Sequence, residues 1–247
     1  YATSFEQSKL LIVSLQGEVL QQIDTEPTPR GLALTDDHRL LISHALTGQV
    51  SLWDTNKAVP EPIRVVQLAD SPEHSTKTTP QGRPRLLDNI GLSPDGTQAW
   101  LPHVLWSFGH DFQFQSSVFP AVSVLDLTTG NEHERVTERK LLFQQINITD
   151  SSNKTRIVSN PHDVAFTDDG KKVVVSLAGS EDLMMFDLSR AQTKRKNQTK
   201  RHRRKKSQGG TKATQIYRNV PGDNPKGLLM MGADLYVQNA MSLDLAR

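Results

Sequence analysis

Apolar and polar positions alternate along this chain in short bursts. Four stretches, opening at Pro29, Leu87, Pro161 and Pro225, share one pattern: a brief apolar run, a polar turn and a second apolar run. In the first, Gly31-Leu-Ala-Leu passes through Thr35-Asp-Asp-His to Leu40-Leu-Ile-Ser; in the third, Val164-Ala-Phe passes through Thr167-Asp-Asp-Gly to Val173-Val-Val-Ser. Runs this short, β-branched and bounded by turn residues, predict strands. The turns Ser93-Pro-Asp-Gly and Thr167-Asp-Asp-Gly have hairpin chemistry. Pro presets φ, Asp bonds its own backbone, and Gly takes the left-handed position.

A third strand follows in Gln49–Asp54, Ala121–Asp126 and Asp182–Asp187, each ending in Asp. A fourth is read at Arg64–Leu68 and Gln215–Val220, and Lys9–Thr25 reads as strands two and three of an earlier unit. The turn copies begin at Thr35, Ser93, Thr167 and Gly232, giving steps of 58, 74 and 65 residues. A bare four-stranded unit needs only ~40–45, so each step carries an insertion. These fall at 70–84, 102–119, 147–159 and 191–214. Four short antiparallel strands, repeated, predict an all-β fold: a single β-propeller over 1–247 with roughly four to five blades visible. Helical periodicity is nearly absent, which argues against bundles and doubly wound α/β folds.

Composition narrows the chemistry. Hydrophobic residues make up 36% of the 247 positions, enough for a packed core. No apolar run approaches the length of a spanning helix. With no cysteine, this chain holds no disulfide, thiolate metal site or Cys-x-x-Cys-His haem attachment. The net charge of +2 conceals an asymmetry, because the segment from Lys194 to Lys212 carries ten of the 29 basic residues and no acid. The remainder has 19 basic against 27 acidic residues, or −8. Sequons stand at Asn147, Asn153 and Asn197. The sequence opens on Tyr1 and stops at Arg247 inside a third strand, so the expectation is a portion of a longer polypeptide and of a larger ring.

The motif running from Pro-x-Gly-apolar through Ser/Thr-x-Asp-Gly to Val-x-apolar-Asp resembles the YVTN-type propellers, which are usually seven-bladed. Trp53-Asp54 is similar to the ending of a WD repeat, without its Gly-His partner. The stretch Asp88–Pro102, with Phe112–Asp126 and Leu235–Ser242, looks like the bacterial exported propellers that precede a c-type cytochrome or di-haem peroxidase-like domain. The resemblance implies a periplasmic or extracellular setting, no cofactor in this chain, and c-type haem in a downstream domain outside it. That cytochrome c-like domain of the same parent chain is the implied partner. The basic insertion is not a family feature.

In a propeller, the loop leading into strand one and the loop joining strands two and three open on one face around the channel. That face is expected to gather His44, His103 and His162, with Asn89, Asp163 and Asn239 nearby. Imidazoles beside carboxylates suit Zn, Cu or Fe, so the three histidines are metal candidates. The plainer reading, in which each caps its own blade loop, is preferred because no local ligand motif accompanies them. Asp54, Asp126 and Asp187 are expected to accept turn N–H groups. The aromatic insertion with Trp106, Phe108, His110 and Phe112 is read equally as a ligand or partner surface and as a satellite core. The basic patch of Lys194, Arg195, Lys196, Lys200, Arg201, Arg203, Arg204, Lys205 and Lys206 offers counterion-release binding to nucleic acid or an anionic surface, with a solvated loop as the plainer reading.

Three functions are therefore weighed. The leading one is a propeller module that presents its channel mouth to a partner domain or ligand. The second is a metal-dependent lactonase- or lyase-like enzyme using the channel-mouth His and Asp. The third is acidic-surface or nucleic-acid binding through the basic loop. No nucleophile elbow, P-loop, His-Glu-x-x-His or dinucleotide fingerprint is present, and no catalytic residue is assigned.

Overall fold

Among the described residues, the alternating runs become five antiparallel sheets in chain order. The computed structural model describes residues 1–70, 82–107, 117–128, 136–142, 158–189, 213–217 and 220–247, with backbone alone for 136–141 and 213–214. The first sheet holds β1 (Ala2–Ser4), β2 (Lys9–Val13) and β3 (Val19–Asp24). The second holds β4 (Pro29–Leu34), β5 (Arg39–His44), β6 (Gln49–Asp54) and β7 (Glu61–Gln67). In the third, β8 (Arg83–Arg85) and β9 (Gly91–Leu92) both pair with β10 (Gln98–Trp106), which continues to β11 (Val118–Asp126) and β12 (Val136–Leu141). The fourth runs β13 (Pro161–Phe166), β14 (Lys172–Leu177), β15 (Asp182–Asp187) and β16 (Ala213–Tyr217). The fifth holds β17 (Pro225–Met231), β18 (Asp234–Asn239) and β19 (Asp244–Ala246). Each sheet is one blade, numbered here in that order.

One expectation needs correction. Lys9–Thr25 holds strands three and four of blade 1, and strand two is the preceding β1. The connection between strands two and three settles the assignment. It spans four residues in blades 1, 2, 4 and 5, and its last residue is left-handed each time: Ser8, Gly48, Glu181 and Leu243. β1 is only three residues long and carries no apolar run, so Lys9–Val13 reads as the earlier strand.

The predicted hairpin turns form as their chemistry requires. Ser93 Oγ donates to Asp95 Oδ1 at 2.6 Å and accepts the Gln98 N–H at 2.9 Å. Thr167 repeats this with Asp169 and Lys172 at 2.7 and 3.1 Å. Gly96 and Gly170 supply φ of 66° and 64°, and in the one-residue-shorter blade 2 turn His38 takes φ 63° instead. Burial pushes the Asp95 carboxyl up, but the Ser93 and Thr97 donors outweigh it and hold it below the usual range. Asp54, Asp126 and Asp187 each accept an N–H two residues on, from Asn56, Thr128 and Ser189, at 2.9, 3.0 and 3.0 Å.

The core lies between blades. Trp100, Val122 and Val124 of blade 3 pack against Val164, Val173 and Phe186 of blade 4. Trp100 meets Phe166 and Phe186 edge-on, with centroids 5.7 and 5.6 Å apart. Leu41 and Val50 of blade 2 pack against Ile90 and Leu101 of blade 3, and Val174 and Leu183 of blade 4 against Leu228 and Val237 of blade 5. Each strand therefore sends alternate side chains to its two neighbouring blades, which is why the apolar runs are nearly continuous.

Candidate functional site

Strand one, which is described in blades 2 to 5, is interrupted at its second residue. The register slips between Pro29 and Leu32, between Pro161 and Val164, and between Pro225 and Gly227. In blade 3 the same place is the gap between β8 and β9, which holds Asp88 and Asn89. A bulge frees residues from the ladder and re-aims them. Counting on from Pro29, Leu87, Pro161 and Pro225, the freed positions are Arg30, Asp88, His162 and Lys226 in four successive blades, followed by Gly31, Asn89, Asp163 and Gly227.

The backbone here is stitched from blade to blade by one device. Thr3 Oγ1 donates to the Arg30 carbonyl at 2.8 Å, Ser43 Oγ to that of Asp88 at 2.6 Å, and Ser176 Oγ to that of Lys226 at 3.4 Å. These donors share one position in strand two. Blade 3 has Pro102 there, which has no hydroxyl, and the Asn89 N–H donates to the His162 carbonyl at 3.3 Å instead. Every freed position thus has its carbonyl fixed by the preceding blade.

Three of the four side chains then touch. Arg30 Nε donates to Asp88 Oδ1 at 2.8 Å, and His162 Nε2 lies 2.9 Å from Asp88 Oδ2, outside the angles of a hydrogen bond. Asp88 and His162 are nearly buried, whereas the Arg30 side chain is 42% exposed. One carboxylate thus joins residues of three blades. Beside it, Asp163 accepts the Val164 and Leu228 N–H groups, each at 2.8 Å. Burial raises the Asp163 carboxyl against those donors and Asn89, which pull it down. The rim is able to bind and orient a charged or polar group, with Arg30 and Lys226 as its cations.

The sequence-predicted residues divide here. His162, Asp163 and Asn89 belong to this rim. His44, His103 and Asn239 occupy one equivalent position, the last residue of strand two in blades 2 and 5 and an interior residue of the longer β10 in blade 3, and are fully buried. The His44 Nδ1–H donates to the Pro27 carbonyl at 3.1 Å, leaving Nε2 to accept from Ser51 Oγ at 2.8 Å, and Ser51 accepts the Trp53 indole N–H at 2.9 Å. Asn239 Nδ2 likewise donates to the Pro221 carbonyl, at 3.0 Å. His103 Nδ1 lies 2.9 Å from the Leu101 carbonyl. His44 and Asn239 thus tie strand two to the loop before strand one, with both His44 nitrogens engaged. Burial holds the His44 ring below its ordinary value, against the Pro27 and Glu26 oxygens. Among the described residues, no three His, Asp or Glu side chains are placed to hold a metal ion together.

Trp106 ends β10, opposite Arg83 and Val118. Phe108, His110 and Phe112, and the basic patch from Lys194 to Lys206, lie outside the described residues. Sequence reasoning missed Arg30, Asp88 and Lys226. Their signal was present in the column formed by the second residue of each repeat, where charge recurs between Pro or Leu and Gly, Asn or Asp.

No family model matches the chain, and no curated protein matches it. Solved structures do. The Kuenenia stuttgartiensis hydrazine synthase aligns at 14% identity and TM-score 0.56, over 98% of this chain and 77% of its own. The Pseudomonas aeruginosa periplasmic gluconolactonase PpgL aligns at 17% identity and TM-score 0.52, over 87% of this chain and 44% of its own. The Cps50 (Swd1) β-propeller domain of Myceliophteria thermophila aligns at 13% identity and TM-score 0.53, over 95% and 56%. This chain therefore spans less than half of the gluconolactonase and little over half of the Cps50 domain. At such identities the likeness concerns fold alone, and the fold is that of a β-propeller.

Proposed function

We propose that this propeller is a binding module and that Arg30, Asp88, His162 and Lys226 form the rim it presents to a partner. One observation carries the reading. The bulge position of four successive blades is ionisable each time, and three of the four side chains are coupled across seams. A purely structural bulge has no need of charge at every copy. The partner we propose is a c-type cytochrome-like domain outside these 247 residues, in a periplasmic or extracellular setting. What supports that choice is the resemblance of Asp88–Pro102, Phe112–Asp126 and Leu235–Ser242 to exported cytochrome-associated propellers.

Surface plasmon resonance with a soluble c-type cytochrome tests it. Binding that weakens with salt and falls about tenfold in Arg30→Ala/Lys226→Ala, but not in Lys57→Ala on blade 2's outer edge, is the expected result. Binding indifferent to the rim substitutions, or absent at low salt, would sink the proposal.

A further inference from the structure

Blade 5 carries an apolar face whose equivalents in blades 2 and 4 are covered by the next blade. Leu41, Val174 and Tyr236 share one register position in strand two, and Val50, Leu183 and Leu245 share one in strand three. The blade 2 and blade 4 members are buried against the following blade. In blade 5, Leu245 is 65% exposed, and Leu229 and Met231 beside it are 57% and 58% exposed. With Tyr236, Gly227 and Gln238 they line a shallow groove.

Two further residues match a missing neighbour. Gln238 stands where Thr3, Ser43 and Ser176 donate to the next blade's bulge carbonyl, and it supplies an amide donor in their place. Gly227 stands where Gly31 lies in blade 2, a position held by Asn89 and Asp163 in blades 3 and 4. A Cβ on Gly31 would fall 2.3 Å from the Asp88 carbonyl oxygen of the next blade, so that seam closes only around glycine. A Cβ on Gly227 would meet only Gln238 of its own blade, from 3.2 Å. No apolar cluster joins the first sheet to the fifth among the described residues.

We infer that this face seats a further antiparallel blade of the same protein, supplied by polypeptide outside the 247 residues. Its strand one lies on Tyr236 and Leu245, and its bulge carbonyl closes over Gly227 to accept from Gln238. The occupant follows from continuity, because the faces equivalent to this one in blades 2 and 4 take the next blade's strand one in that register.

Hydroxyl-radical footprinting of the protein isolated from its source tests the proposal. Met231 and Tyr236 should be protected like buried Met184 and unlike exposed Met241, and should stay protected on dilution. Oxidation at the rate of Met241 would overturn it. So would protection that disappears on dilution, since that marks a second copy of the chain. This readout is independent of cytochrome binding, so this inference and the proposed function fail separately.

Discussion

Asp88 and His162 hold the same position in consecutive blades, and their side chains meet across the seam with Oδ2 and Nε2 2.9 Å apart. Because the other Asp88 oxygen takes Arg30 Nε from the preceding blade, one carboxylate serves two seams. The Arg30 side of this link is partly open to water and contributes little by itself. The His162 side is nearly buried, so deleting the carboxylate strips polar contacts from a dry site. Asp88→Ala is expected to lower unfolding stability by about 1–3 kcal/mol, with Asp88→Asn losing less. Urea titration measures this, and an unchanged midpoint in Asp88→Ala would count against the link.

The stitching hydroxyls should differ in worth by their burial. Ser43 Oγ accepts the Gly31 N–H at 2.9 Å and donates to the Asp88 carbonyl, in a fully buried setting. Thr3 makes the same seam bond in an exposed one. Removing Ser43 Oγ leaves a buried donor and acceptor unmet, and water cannot replace it without room. Ser43→Ala should therefore cost about 1–3 kcal/mol for each orphaned group, and Thr3→Val well under 1 kcal/mol. Thermal melts of the two variants side by side decide the matter; similar losses would refute the burial argument.

The strand-turn-strand repeat was legible because period-2 burial and turn chemistry are both written locally. Asp54, Asp126 and Asp187 could be read as turn acceptors for the same reason. Blade 1 was misread because its strand two, Ala2–Ser4, is too short and polar to stand out, so Lys9–Val13 took its place. The site was harder. His44 and His103 look like ligands in sequence, yet parity alone decides whether their shared position in strand two faces the channel or the core. That parity depends on the bulge in strand one, which no residue type announces. Arg30 and Lys226 look like ordinary surface charges until the repeats are stacked, because their meaning comes from equivalence between blades rather than from near neighbours.

His44 gives the fold a dependence on pH whose sign follows from its relay. With Nδ1–H on the Pro27 carbonyl and Nε2 accepting from Ser51, the ring is neutral as it stands. Protonating it would place a second donor against the Ser51 hydroxyl, which already takes the Trp53 N–H. Burial thus depresses the folded-state value, so the unfolded chain binds this proton first as the pH falls. The stability contributed by the neutral ring is fully present above the ordinary histidine value and declines as the pH drops below about 6.5. It stops declining only when the folded ring also takes up its proton. His44→Leu, which copies Leu177 at the equivalent place in blade 4, removes this component and leaves the Trp53–Ser51 bond intact. The variant should lose less Tm than the parent between about pH 7.5 and about pH 5. Parallel Tm curves for the two proteins across that window would show that His44 is not the group responsible.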